Sequence, residues 1–276
     1  MTVSLLANGV RVTLLVVISG VFCVVPPGAA AGDVFVEDVV QHVKAQDNAI
    51  RDQTAHVVIR HVDASGDERV STHRLYWKNL LGERGLIGKA VLVTDTPLDK
   101  RGEGFLLWQM EHASDSQAWL YLPDLRQVRR LAIAGHEHHE ESHQEPMDLG
   151  FEQLGTRLLG TDGELMGKGT IDGVDHLILE DRSTATTDLL PLRRYWISLE
   201  DWTISRIEYR DANEHLARTQ RIVWEHLAQG LVWKRTEILP TNGSGKTTVE
   251  LSDITVNTGL PDRLFTVENL KSGRFP

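Results

Sequence analysis

Three stretches of this 276-residue chain carry residue types at spacings that could do chemistry. His139-Glu140-Glu141-Ser142-His143 has the His-Glu-x-x-His spacing of zinc hydrolases, in which two imidazoles one helical turn apart hold the metal and the glutamate activates water. That chemistry needs a helix. Here the motif sits between Gly135 and Pro146 in a run of His and Glu with no apolar helical stripe around it, so the plainest reading is a solvated loop. The alternatives are a metal-binding tract, with His136, His138, His139 and His143 as ligands, or a zinc metallohydrolase. Gly243-Ser244-Gly245-Lys246-Thr247-Thr248 imitates the end of a phosphate-binding loop, but Pro240 stands where that motif wants glycine, and Thr247 to Leu251 reads as strand rather than helix. Asn242-Gly243 makes it a hairpin turn. Ser244 lacks the flanking glycines of a nucleophile elbow. Among Arg126, Arg129, Arg130, Arg193 and Arg194, the pair Arg129 and Arg130 is the candidate for contact with an anionic lipid head group, since guanidinium pairs phosphate or carboxylate through two hydrogen bonds. No catalytic residue and no cofactor follow from these patterns.

The elements that would position such groups begin after an export signal. Arg11, the apolar run Val12 to Val25, Pro26-Pro27-Gly28 and the small residues Ala29-Ala30-Ala31 form the order of a cleavable signal peptide. The run is shorter than the ~20 residues of a membrane-spanning helix. Cleavage after Ala31 leaves one domain over residues 32–276 and removes Cys23, the sole cysteine, which Val21 and Phe22 also make a poor lipidation site. Without Arg11 the 29 basic residues become 28 against 39 acidic, and the formal charge moves from -10 to -11. So acidic a chain is a poor binder of nucleic acid or anionic membrane by charge alone.

Val36, Val39, Val40 and Val43 fall at i, i+3, i+4 and i+7 and predict a helix, with Asp33 as its N-cap. After residue 50 the period changes. Twelve β-rich runs follow, from Thr54 to Val62 through to Thr247 to Val256, separated by short turns. They predict antiparallel neighbours in sequence order. One face should be apolar and aromatic: Ile222 and Trp224 fall on one side of their strand, Arg221 and Val223 on the other, while between Leu231 and Ile238 the apolar residues swap faces. Gly135 to Gly169 and Ser183 to Pro191 break the rhythm, the first with a short helix near Asp148 to Leu154, and Gly135 to Leu154 and Ser183 to Pro191 read as a movable cover over the sheet.

The stretch Trp119-Leu120-Tyr121-Leu122-Pro123-Asp124-Leu125-Arg126-Gln127-Val128-Arg129-Arg130 resembles the strand, turn and strand of LolA-like outer-membrane lipoprotein-sorting proteins. The ending Leu260-Pro261-Asp262-Arg263-Leu264-Phe265-Thr266, with Leu270, is similar to the way those chains close. The resemblance implies a mainly β (α+β) fold, in which a large curved antiparallel sheet forms a half-open barrel with an N-terminal helix and short covering helices. It also implies a non-catalytic periplasmic carrier or chaperone that shelters a lipid, a lipoprotein acyl chain or a similar apolar ligand on the concave face. Its partners would be an inner-membrane export complex and an outer-membrane acceptor, and it would act as a monomer in outer-membrane biogenesis. The sequence departs from that family where His136 to His143 precedes Phe151-Glu152-Gln153-Leu154, so nothing is carried over for that segment.

Burying hydrocarbon is worth about 0.8 kcal/mol per methylene, which is what a carrier must supply in water. The residues read as lining the apolar cavity are Trp77, Trp108, Trp119, Tyr121, Trp196, Trp224 and Trp233 on strands, with Val36, Val40 and Val43 on the helix. Ordinary core packing competes with that reading for each of them. An envelope-stress regulatory interaction module, which would present a flat apolar patch, is the remaining alternative.

Overall fold

A computed structural model describes residues 35–110, 115–131, 163–183 and 190–276. The chain divides into two units, Met1–Asp33 and Val34–Pro276. The first unit, where a signal peptide is expected, lies outside the described residues, and the fold is that of the second. Among the described residues no helix is long and apolar enough to cross a membrane.

Helix α1 (Val36–Asp47) buries Val39, Val40 and Val43, the stripe that the spacing predicts. Its N-cap is Phe35, whose side chain makes no capping bond, and the expected cap Asp33 lies outside the described residues. Glu37 and Asp38 in the first turn and Lys44 in the last place charge of the right sign at each end of the helix. A 12-residue helix is marginal in water by itself. Burial of the three valines, about 2 kcal/mol each, is what holds it to the sheet.

Thirteen strands follow among the described residues. The first six are β1 (Asp52–Asp63), β2 (Glu68–Glu83), β3 (Leu86–Thr96), β4 (Gly104–Met110), β5 (Gln117–Leu122) and β6 (Gln127–Leu131). The other seven are β7 (Glu164–Ile171), β8 (Val174–Arg182), β9 (Leu192–Ser198), β10 (Ile204–Arg210), β11 (Leu216–Leu227), β12 (Gly230–Pro240) and β13 (Gly245–Val256). They form one antiparallel sheet in the order β6-β5-β4-β3-β2-β1-β13-β12-β11-β10-β9-β8-β7. Two meanders are thus joined where the first strand pairs with the last, and β6 and β7 stand at the edges of a half-open barrel.

Twelve of these strands are legible in the sequence, and β7 is the correction. It begins inside Gly135 to Gly169 and runs on to Ile171, in a stretch that reads as irregular because Gly167 and Gly169 interrupt the alternation of Leu165 and Ile171 with exposed residues. Gly169 is there for space: a Cβ on it would stand 2.4 Å from the Trp196 ring. The face swap in β12 is a β-bulge at Lys234, where the register passes from Val223 opposite Arg235 to Trp224 opposite Trp233. One extra residue lets Trp233 and Thr236 both turn inward. The phosphate-loop mimic is the β12–β13 hairpin turn, in which Ser244 N–H donates to Asn242 Oδ1 at 3.0 Å. Gly245, with φ 131°, passes so close to Val62 that a Cβ would stand 2.2 Å from its carbonyl oxygen.

Both faces of the sheet are apolar over part of their area. After β13 the chain crosses to the outer face, turns through a single 3-10 turn (Asp262–Phe265) and ends with helix α2 (Val267–Ser272). Leu260, Leu264, Phe265 and Leu270 pack there on Tyr76, Val91, Val93 and Leu106. Asp52, 4% exposed, fastens this crossing. Its carboxylate accepts from the Thr258 N–H (2.8 Å) and hydroxyl (3.0 Å), the Gly259 N–H (2.9 Å) and the Leu260 N–H (3.2 Å). Asp52→Ala strands one buried backbone donor, Leu260 N–H, and two part-buried ones, Thr258 and Gly259 N–H, so urea unfolding should show a loss of about 2 kcal/mol. A loss under about 1 kcal/mol would mean the crossing is held by packing alone.

Candidate functional site

The inner face of the sheet is the one that carries α1. Alternation along each strand and register across the strands together bring Val57 and Ile59 of β1, Ile222 of β11, Val249 and Leu251 of β13 and Leu179 of β8 into one apolar cluster with Val39, Val40 and Val43. Trp77, Phe105, Leu165, Trp202 and Trp224 pack against its margin. Trp202, in the β9–β10 turn, stacks on His42 of α1 with ring centroids 4.2 Å apart. The inner face therefore runs from β4 to β7, and α1 meets it near the β9–β10 and β11–β12 turns, where Gly230 faces Ala49 and Ile50.

Ten residues were expected to line one cavity, and the structure divides them. Trp233 is buried in the inner cluster with Val40 and Val43, and Val36, Trp77 and Trp224 pack against it. Trp224 Nε1 donates to the Ile204 carbonyl at 2.9 Å, which fixes the ring. Trp108, Trp119 and Tyr121 point the other way, beneath the C-terminal segment. Trp108 Nε1 donates to the Phe265 carbonyl at 2.9 Å, and its ring meets Trp119 edge-on at 5.1 Å. Trp196 also faces outward, alternating with the inward Tyr195 and Ile197, and the Arg206 guanidinium lies 5.0 Å from its ring centroid. The reason is periodicity. Aromatic type does not tell which face of a two-faced sheet a ring joins, and only pairing register does.

The polar groups of the inner face were not legible as a set. Tyr209 Oη donates to Gln220 Oε1 at 2.9 Å, and Gln220 Nε2 donates to Thr236 Oγ1 at 3.1 Å. Gln220 and Thr236 are fully buried, and Tyr209 is nearly so. The i, i+2 run Arg218, Gln220, Ile222, Trp224 was the signal that could have found them. On the same side of β2, fully buried His73 shares hydrogen bonds with Thr94 Oγ1 (3.2 Å) and Ser71 Oγ (2.8 Å). Burial pushes its imidazole from the ordinary 6.5 down to about 4, against a smaller upward pull from Asp95. Arg129 and Arg130 are exposed on edge strand β6. His136, His138, His139 and His143 and the cover expected at Gly135 to Leu154 lie outside the described residues, as does 184–189 of the cover expected at Ser183 to Pro191, whose flanking Ser183 N–H donates to the Pro191 carbonyl at 2.7 Å. Among the described residues no three His, Cys, Asp or Glu side chains come together as a metal site.

This architecture, a half-open antiparallel barrel with a helix on one face and its own C-terminus on the other, is the LolA-type fold. A family model described as "Uncharacterized protein" matches residues 88–272, more than half of the chain, and the chain belongs to that family. No curated protein matches the sequence. Among solved structures it is similar to a domain described as an outer-membrane lipoprotein-sorting protein from Vibrio parahaemolyticus, with 18% identity, a TM-score of 0.72, and 86% of this chain and 100% of that one covered. A DUF1329 family protein from Desulfovibrio piger gives 19% identity and a TM-score of 0.71, covering 85% of this chain and 98% of that one. A LolA superfamily protein from Nitrosomonas europaea gives 14% identity and a TM-score of 0.62, covering 86% and 99%. At these identities the likeness is one of fold.

The neutral His73 of the inner face sets a pH dependence. Below pH 6.5 the unfolded chain takes up a proton that the folded imidazole refuses until about pH 4, so this contribution to stability is complete above 6.5 and is lost as pH falls to about 4. The full loss is roughly 3 kcal/mol. Urea midpoints measured between neutral pH and pH 4 should fall less steeply for His73→Gln than for the unchanged protein; equal slopes would refute the assignment.

Proposed function

We propose that the protein is a periplasmic, non-catalytic carrier or chaperone that shelters an acyl chain or similar apolar ligand against the inner face. The observation that carries this reading is the division of labour between the faces. The outer apolar patch is occupied by residues 260–275 of the chain itself, whereas among the described residues the inner patch is met by one short helix although it extends from β4 to β7. A sheet this wide with one small helix on it supplies apolar area in excess of what the described elements cover.

The likeness in fold to a lipoprotein-sorting domain and a LolA superfamily protein supports the same reading. In this proposal residues 1–31 direct export and are removed, residues 32–276 form one domain, and acyl chains pass between an inner-membrane donor and an outer-membrane acceptor. Inner-face residues Val36, Val40, Val43, Trp77, Trp224 and Trp233 are the proposed contacts. Trp108, Trp119, Tyr121 and Trp196 are withdrawn from that set because they face outward.

The protein purified without detergent and extracted with organic solvent should yield stoichiometric acyl-chain lipid by mass spectrometry. An extract free of lipid, from protein that also fails to take up an acyl chain after refolding, would overturn the proposal.

A further inference from the structure

The inner face ends, on the side away from α1, in a row of polar residues set across neighbouring strands. Asp181 of β8 stands opposite Arg193 of β9, Arg193 opposite Tyr209 of β10, Tyr209 opposite Arg218 of β11, and Arg218 opposite Pro240 of β12. One step further in, the row reads Leu179, Tyr195, Ile207, Gln220 and Ile238. Only two Asp, Glu, Lys or Arg side chains among the described residues are buried, Asp52 and Arg218. Asp52 holds the C-terminal crossing. Arg218, 8% exposed, has no carboxylate partner among the described residues; its guanidinium carbon lies 4.0 Å from the centroid of the Tyr209 ring. Arg193 approaches the same ring from the other flanking strand, at 5.9 Å. Arginines nearby on β9 and β10 are treated differently, since Arg194 is paired with Glu180 and Arg210 with Glu208.

A buried cation is costly unless an anion or a full set of acceptors compensates it. The Tyr209 ring supplies part of that through its π face, and the Tyr209 hydroxyl is turned away to Gln220. The guanidinium keeps donors for which the described residues offer no carboxylate. The acid of the row, Asp181, lies opposite Arg193, so of the described residues of the row Asp181, Arg193 and Arg218 together carry one net positive charge. Such a row at the end of an apolar face complements a molecule with one compact negative end and a hydrocarbon remainder.

We propose that Arg218, with Arg193 across Tyr209, binds the anionic head, carboxylate or phosphate ester, of a single-chain amphiphile whose hydrocarbon lies along the inner face. This rests on the carrier reading and specifies its ligand: the chain is recognised by burial and the head by charge-assisted hydrogen bonds to guanidinium. Such bonds are worth enough that losing the charge on the head weakens binding about tenfold or more.

The test compares a long-chain fatty acid, its methyl ester, the matching alkyl phosphate and inorganic phosphate alone, by calorimetry on the delipidated protein. The acid and the alkyl phosphate should bind at least about tenfold more tightly than the ester, and inorganic phosphate should not displace them. Arg218→Met should bind the ester as before and lose the preference for the acid, while Arg218→Lys keeps part of it. Equal binding of acid and ester overturns the head-group site and leaves the carrier reading intact, whereas binding of none of the chains overturns both. Displacement of the acid by inorganic phosphate overturns the amphiphile assignment in favour of a free-anion site. The comparison of ligands is made on the unchanged protein, so it decides the matter even if Arg218→Met does not fold.

Discussion

A sheet that is apolar on both faces has to be covered twice, and that constraint organises this protein. Among the described residues, thirteen strands in one layer expose far more apolar surface than two short helices can bury. The chain spends its last residues on the outer face, where Phe265 and Leu270 become fully buried on the strands of the first meander. Asp52 makes this possible by binding the backbone just after β13, so that the crossing between faces starts at a fixed point. Among the described residues the inner face is left to α1 and, in the proposed function, to the ligand. Function, on this account, follows from an imbalance of coverage rather than from any reactive group.

The same imbalance explains why polar groups on the inner face are arranged with such care. Gln220, Thr236 and His73 are fully buried, and each is engaged by a neighbour's polar side chain: Gln220 and His73 by hydroxyls, Thr236 by the Gln220 amide. An apolar surface meant for hydrocarbon tolerates polar atoms only when they are satisfied within the protein. Arg218 departs from that pattern, because its partner among the described residues is a ring rather than an acceptor. A satisfied network sets a surface's shape, whereas a cation with spare donors gives it a direction, apolar at one end and positive at the other.

Much of the architecture was legible from residue types alone. The valine spacing of α1 and the alternation of β11 each follow from one period, and the strand–turn–strand around Pro123 carried the family resemblance. What failed was the assignment of faces. Trp119 and Trp233 are equally aromatic and equally strand-borne, yet they belong to opposite sides of the sheet. The difference lies in which residue of the neighbouring strand each opposes, and a bulge such as that at Lys234 shifts the answer by one. β7 was missed for a related reason: Gly169 is glycine because Trp196 occupies the space above it, which is a long-range fact with no local trace.

The account stands on hydrocarbon lying against the inner face and not the outer one. Fluorescence quenching by a brominated acyl chain reads this directly when compared across the unchanged protein, Trp233→Phe and Trp119→Phe. The quenched fraction should drop in Trp233→Phe and persist in Trp119→Phe. Quenching that disappears with Trp119 and survives the loss of Trp233 would put the ligand on the wrong side of the sheet and contradict the account.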